Sequence, residues 1–192
     1  MAGELDIALR FVHFAAGVTW IGLLYFFNLV NVPFQKELEA DQKPKVNPRL
    51  LGRTLWWFRH GAWVTVLMGL LLIYRLYMVP TNRLGTDAGI IISLGGLLGI
   101  IMMINVWGVI WPSQKRNFAA AAAGTKPDPK WTKNATLASR TNFVLSFPML
   151  LFMAGASHWP GTWTSFAAAG VLVAVLGWGL LWAVQILSLI HI

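Results

Sequence analysis

Five long apolar runs, at about 7–32, 55–79, 88–111, 143–157 and 165–186, alternate with short loops rich in Lys and Arg. A run of roughly 18 or more apolar residues can cross a hydrocarbon core of about 30 Å as a helix. Inside lipid every backbone N–H and C=O must be satisfied within the protein, which leaves helices or a closed barrel. The expectation is an all-α polytopic bundle of five transmembrane helices in a single domain over 1–186. Pro33, Pro80 and Pro112 follow the first three runs and are expected to end them. The first run is too long for a signal-peptide core, and Glu4 and Asp6 stand where a basic segment would be needed, so it reads as a retained span.

Composition agrees. Hydrophobic residues make up 57% of the 192, charged ones 11%, and mean hydropathy is +0.62, values outside the range of soluble domains. The formal charge of +8 does not point to nucleic acid. Twelve of the fifteen Lys and Arg fall in two places, Lys36 to Arg59 and Lys115 to Arg140. That bias puts these segments in the cytoplasm, the N-terminus outside and the C-terminus inside. With no cysteine, disulfides, thiolate metal sites and covalently attached haem are excluded from this chain.

Histidine in so apolar a chain needs a reason. His13 lies in the first run and His158 closes the fourth, both expected near the outer face. Two neutral imidazoles from different helices are what a low-spin b-type haem takes as axial ligands. Ala16 and Gly17 beside His13, and Ala154 and Gly155 beside His158, would admit the macrocycle. The alternative is that each ring is an interfacial polar group bonded to a backbone carbonyl or a headgroup. A metal other than haem iron is disfavoured, because no carboxylate or third histidine is near. His60 is expected at the cytoplasmic mouth of the second helix, on the order of 20–30 Å from that pair.

A second cluster is polar and cytoplasmic. Asn28, Asn31, Arg59, His60, Asn105, Arg140, Thr141 and Asn142 fall at that end of the spans. Of these, Asn105, Arg140, Asn142 and His60 could hold a flat anion with amide edges. The competing account is interhelical hydrogen bonding with snorkelling of the arginines. Gly95 and Gly99 in the third run favour close helix packing, with approach to a planar cofactor as the alternative. Phe118 to Ala123 reads as a short helical turn stopped by Gly124. No Asp or Glu lies within a span, which ranks proton-coupled transport below redox chemistry. The last six residues, Leu187 to Ile192, read LSLIHI. That is the translation of a transposon-derived sequencing adapter, so they are expected to be foreign, with the natural gene continuing past Ile186.

These motifs together resemble a family. Leu9 to Gly22 is similar to the opening helix of the membrane domain of PuuD-type urate oxidases (urate hydroxylases), where L-R-W-L-H-x-x-A-G-I-x-W-I-G is typical. Asn105 to Arg116, Ala123-Gly124, Pro127-Asp128-Pro129, and Asn142 to Pro160 with Ser157-His158-Trp159-Pro160 resemble its later segments in the same order, so that about half the chain is covered. The resemblance implies a bacterial inner-membrane oxidoreductase acting on urate. In longer members a C-terminal cytochrome c domain takes the electrons. It assigns His13 and His158 to haem b and implies a cytochrome c or other respiratory-chain partner. The chain departs from the family where further histidines are expected, near Gly95 to Gly99 and at Arg140 or Thr141, and it has no C-x-x-C-H. His60 stands at an aromatic position of longer members. Two other readings stay open: a non-catalytic membrane subunit or assembly partner of a larger complex, and a small-solute permease using the inner polar cluster.

Overall fold

A computed structural model describes the backbone of residues 2–79 and 82–190 and the side chains of 3–79 and 82–184. Within those limits the chain is helical, with no strand. Five helices are long and apolar enough to cross a membrane: α1 (Gly3–Glu37), α2 (Lys43–Met78), α3 (Asp87–Ala122), α4 (Pro129–Gly155) and α5 (Trp163–Val184), the last continuing as backbone to Ile190. His191 and Ile192 lie outside the described residues, as do the side chains of the LSLIHI segment.

Of the three helices expected to end at a proline, the second does stop at Met78, just before Pro80, but the other two run on. α1 continues through Pro33 and α3 through Pro112, and in each a wide π-helical turn comes immediately before the proline, Phe26–Asn31 and Val106–Ile110. A proline ring in a regular helix collides with the carbonyl four residues back and removes a hydrogen bond. The wider turn moves that carbonyl aside, so the helix bends instead of ending. The basic stretches before Leu55 and Phe143 are helical too, because α2 begins at Lys43 and α4 at Pro129. Apolar length alone could not show this, since polar residues extend a helix into the headgroup zone as readily as they form a loop. Local signals set several ends. Asp128 caps α4 by accepting from Lys130 N at 2.8 Å, with Pro129 in the first turn. Gly124, at φ +67°, closes α3 in a left-handed turn where Thr125 N reaches Ala120 O at 2.9 Å.

In lipid, helices gain little from the hydrophobic effect and associate through close packing and polar contacts. The closest seams here are cut by glycine. Gly61 of α2 lies against the Ala16 carbonyl and Trp20 of α1, and Gly95 of α3 against Phe152 of α4. Gly155 of α4 and Gly170 of α5 form sockets for the rings of Phe166 and Phe152. The Gly95 to Gly99 motif thus serves helix packing at Gly95, where Phe152 and Met153 fill the space. One buried cluster joins Trp20, Leu24, Phe58, Ala62, Met102, Val106 and Met149 from α1 to α4. A second joins Ile91, Phe152, Ala156 and Phe166 of α3, α4 and α5.

Gly170→Val would drive a branched side chain into Phe152 and is expected to destabilise the bundle by about 1–3 kcal/mol. Gly179→Val, where an added Cβ meets nothing, should be near neutral; thermal unfolding in detergent compares the two. From the charge bias alone, a reporter inserted at Gly124 should be active in the cytoplasm and one at Gly85 outside. Activity in the opposite compartments would reverse the orientation.

Candidate functional site

The buried stripe of α1 carries His13, Ala16, Gly17, Trp20, Leu24 and Asn28 at helical spacing, and most of it faces α2. His13 lies two turns inside the Asp6 to Arg75 ion pair, which closes the α1–α2 seam at 2.6 Å. Its Nδ1 is 2.8 Å from the backbone carbonyl of Thr65. A carbonyl only accepts, so Nδ1 carries the proton and Nε2 keeps its lone pair in the neutral ring. Gly69 makes this contact available, because a Cβ there would stand 3.0 Å from His13 Cε1. Anchoring one ring nitrogen on a backbone carbonyl is how proteins fix a histidine that works through the other.

His158 is placed differently. It follows the last helical residue of α4, is exposed, and has Nδ1 3.3 Å from the Ala154 carbonyl. Ala154 and Leu150, one and two turns earlier on the same side, are exposed as well. The small residues beside the two rings do not border a common gap: a Cβ at Gly17 would stand 3.7 Å from the Thr65 methyl, and the Gly155 socket holds Phe166. As folded, His13 points into the α1–α2 seam while His158 stands on the open side of α4. A haem clamped between these two rings does not fit this arrangement, although His13 alone has the tautomer of an axial ligand. Among the described residues no group of three or more His, Cys, Asp or Glu converges on one point.

The polar residues of the other half divide into two groups. Asn105 Nδ2 donates to Asn142 Oδ1 at 2.9 Å, and Asn142 Nδ2 donates to the Met102 carbonyl at 2.9 Å. Asn28 Nδ2 reaches the Leu24 carbonyl at 2.9 Å and Ser139 Oγ at 3.1 Å. Ser146 Oγ donates to the Phe143 carbonyl and lies 3.2 Å from the Tyr25 hydroxyl. These amides and hydroxyls tie α1 and α3 to α4. Arg140 is half-buried two residues before Asn142, with no hydrogen bond or ion pair to any described residue. Two residues apart on one helix, Arg140 and Asn142 project from different sides of α4, so the free cation and the amide seam do not share a face.

His60 belongs to the second group. It sits well inside α2 and not at its mouth, bonds the Trp56 carbonyl at 2.7 Å, stacks on Trp56, and meets Trp107 edge-on. No bond joins it to Asn105, Asn142 or Arg140. Nor is it remote from His13, whose partner Thr65 is only five residues further along α2, about 8 Å of helix rise. The separation of 20–30 Å expected from the sequence fails because α2 begins at Lys43, some way before the apolar run. Sequence reasoning also left Arg59 without a partner. Its guanidinium lies 3.8 Å from the Trp111 ring centroid, and Trp107 Nε1 donates to its carbonyl at 3.1 Å. The one available signal was the four-residue spacing of Trp107 and Trp111. Trp20 Nε1, buried in the centre, has no hydrogen-bond partner among the described residues.

Residues 80–187, more than half of the chain, match a sequence profile described as urate oxidase N-terminal. The matched segment holds Asn105, Arg140, Asn142 and His158, while His13 and His60 precede it. No curated relative and no solved structure matches the chain.

Removing Asn142 strands the Nδ2 of Asn105 and frees the Met102 carbonyl. Asn142→Leu is expected to cost about 0.5–2 kcal/mol, the range of polar contacts between membrane helices. In a double-mutant cycle with Asn105→Leu, measured by unfolding in mixed micelles, the double variant should cost less than the two singles combined; strict additivity would show that the amides are not coupled.

Proposed function

Because the chain belongs to the urate oxidase N-terminal family, we propose that it is a multi-pass membrane protein of urate oxidation, which oxidises urate or relays its electrons to a cytochrome c partner at a bacterial inner membrane. The observation that carries this reading is the family match over α3 to α5, joined to a polar seam inside that same segment. Urate is a flat anion edged with amide groups. Arg140 offers a cation without a partner among the described residues, and the half-buried Asn105 keeps amide capacity beyond its bond to the buried Asn142. The cation would hold the anion's charge, and polar groups of the same segment would fix its orientation.

Haem b is the redox group of this proposal, and what it would supply is one-electron transfer. His13 is the residue of this chain that supports it. Thr65 holds Nδ1 and so presents Nε2 as the ligand atom, with Gly69 giving the ring room to sit there. His158 does not share that role in this arrangement.

A second reading has its own support. The exposed His158, together with the broad apolar faces of α1 and α5, suits a non-catalytic subunit that docks in a larger complex. Reduced-minus-oxidised spectra of the purified protein separate the two. A b-type band is expected that urate or dithionite reduces, that His13→Ala removes and that His158→Ala leaves in place. A wild-type protein without the band would discard the redox reading in favour of the subunit.

A further inference from the structure

Where α1 and α2 part towards their Lys- and Arg-rich ends, a groove of about 360 Å³ opens on the outside of the bundle. Its walls are Thr19, Gly22 and Leu23 of α1 and Arg53, Thr54 and Trp57 of α2. The two threonine hydroxyls donate to their own helices, Thr19 to the Ala15 carbonyl at 3.0 Å and Thr54 to the Leu50 carbonyl at 2.7 Å. The groove therefore receives mainly methyl and methylene surface. Its floor is open at Gly22, where a Cβ would meet nothing within 4 Å. The volume is at the low end of the roughly 300–1,000 Å³ of small-molecule sites, so it suits a stretch of acyl chain and not an entire lipid.

Charge is confined to one end. Arg49, Arg53 and Trp57 are exposed and recur every four residues, so they form one stripe along α2 that leads into the groove. Neither arginine makes a hydrogen bond or ion pair with a described residue. The nearest acidic segment is already engaged in part, since Asp41 pairs with Lys45 at 2.9 Å. Along the stripe the order is cation, cation, indole, apolar slot. That is the order in which a phospholipid presents its phosphate, its glycerol zone and its chain.

We propose that this groove is a binding site for one anionic phospholipid, with the phosphate on Arg53 and Arg49, the ester region against Trp57, and one acyl chain in the slot over Gly22. Basic pockets between membrane helices on the cytoplasmic side recognise acidic headgroups through the same combination of charge and apolar depth. The site is separate from the histidines and from the amide seam, and it stands or falls independently of the urate reading. Snorkelling arginines in a fluid lipid annulus would share the charge but would not depend on the shape of the slot.

Native mass spectrometry of the detergent-purified protein tests this. Phosphatidylglycerol, phosphatidylcholine with the same chains, and glycerol phosphate without chains are added in turn. The expected result is a one-to-one adduct with phosphatidylglycerol that outcompetes phosphatidylcholine, and none with glycerol phosphate. Arg53→Gln, a surface change that leaves the fold intact, should lower phosphatidylglycerol retention by about fivefold. Gly22→Leu should reduce retention of both lipids by filling the slot. Equal retention of the two lipids, or unchanged retention in Arg53→Gln, would overturn the site. So would a Gly22→Cys variant that forms a disulfide-linked dimer in native membranes, which would show the groove covered by a second copy.

Discussion

Water is absent from the hydrocarbon, and this single fact governs the structure. Backbone groups must pair along their own helix, and helix surfaces find in lipid a solvent as apolar as themselves. Close approach therefore has to come from missing side chains. The seams follow from that: Gly61 admits the α1 backbone, Gly95 admits Phe152, and Gly155 and Gly170 admit aromatic rings. The same device sets His13, because the absent side chain of Gly69 is what lets an imidazole reach a helical carbonyl that a neighbouring Cβ would shield.

Polar groups obey the same economy. An unpaired amide in lipid costs several kcal/mol, and Asn28, Asn105 and Asn142 are bonded to each other, to Ser139 or to backbone carbonyls. Asn142 is the central case. It is fully buried and bridges α4 to both a side chain and a carbonyl of α3. A seam of this kind holds helices together.

Proline shows how a local rule can be satisfied without its usual consequence. Pro33 and Pro112 ought to end helices, and they do so in water because a broken turn can be hydrated there. Near the membrane a broken turn has no such outlet. The chain instead widens one turn into a π-helix and carries on, and the result is longer helices whose ends reach well beyond the apolar runs.

The sequence by itself determined the fold class, the number of spans, the family and the stop at Gly124, because each depends on near-neighbour chemistry or on total apolar length. It also marked His13 as a residue needing a partner, since a histidine inside an apolar run is costly unless it is bonded. What only the tertiary structure decided was which faces meet. His13 and His158 look equivalent in the sequence, yet one ring turns to α2 and the other stays on the open side of α4. His60 looks terminal, yet it lies deep in α2 against Trp56 and Trp107. The physical reason is that a helix's rotation about its axis is fixed by where its neighbours can approach, through glycine sockets on other helices, and no single run of residues encodes its partner's surface.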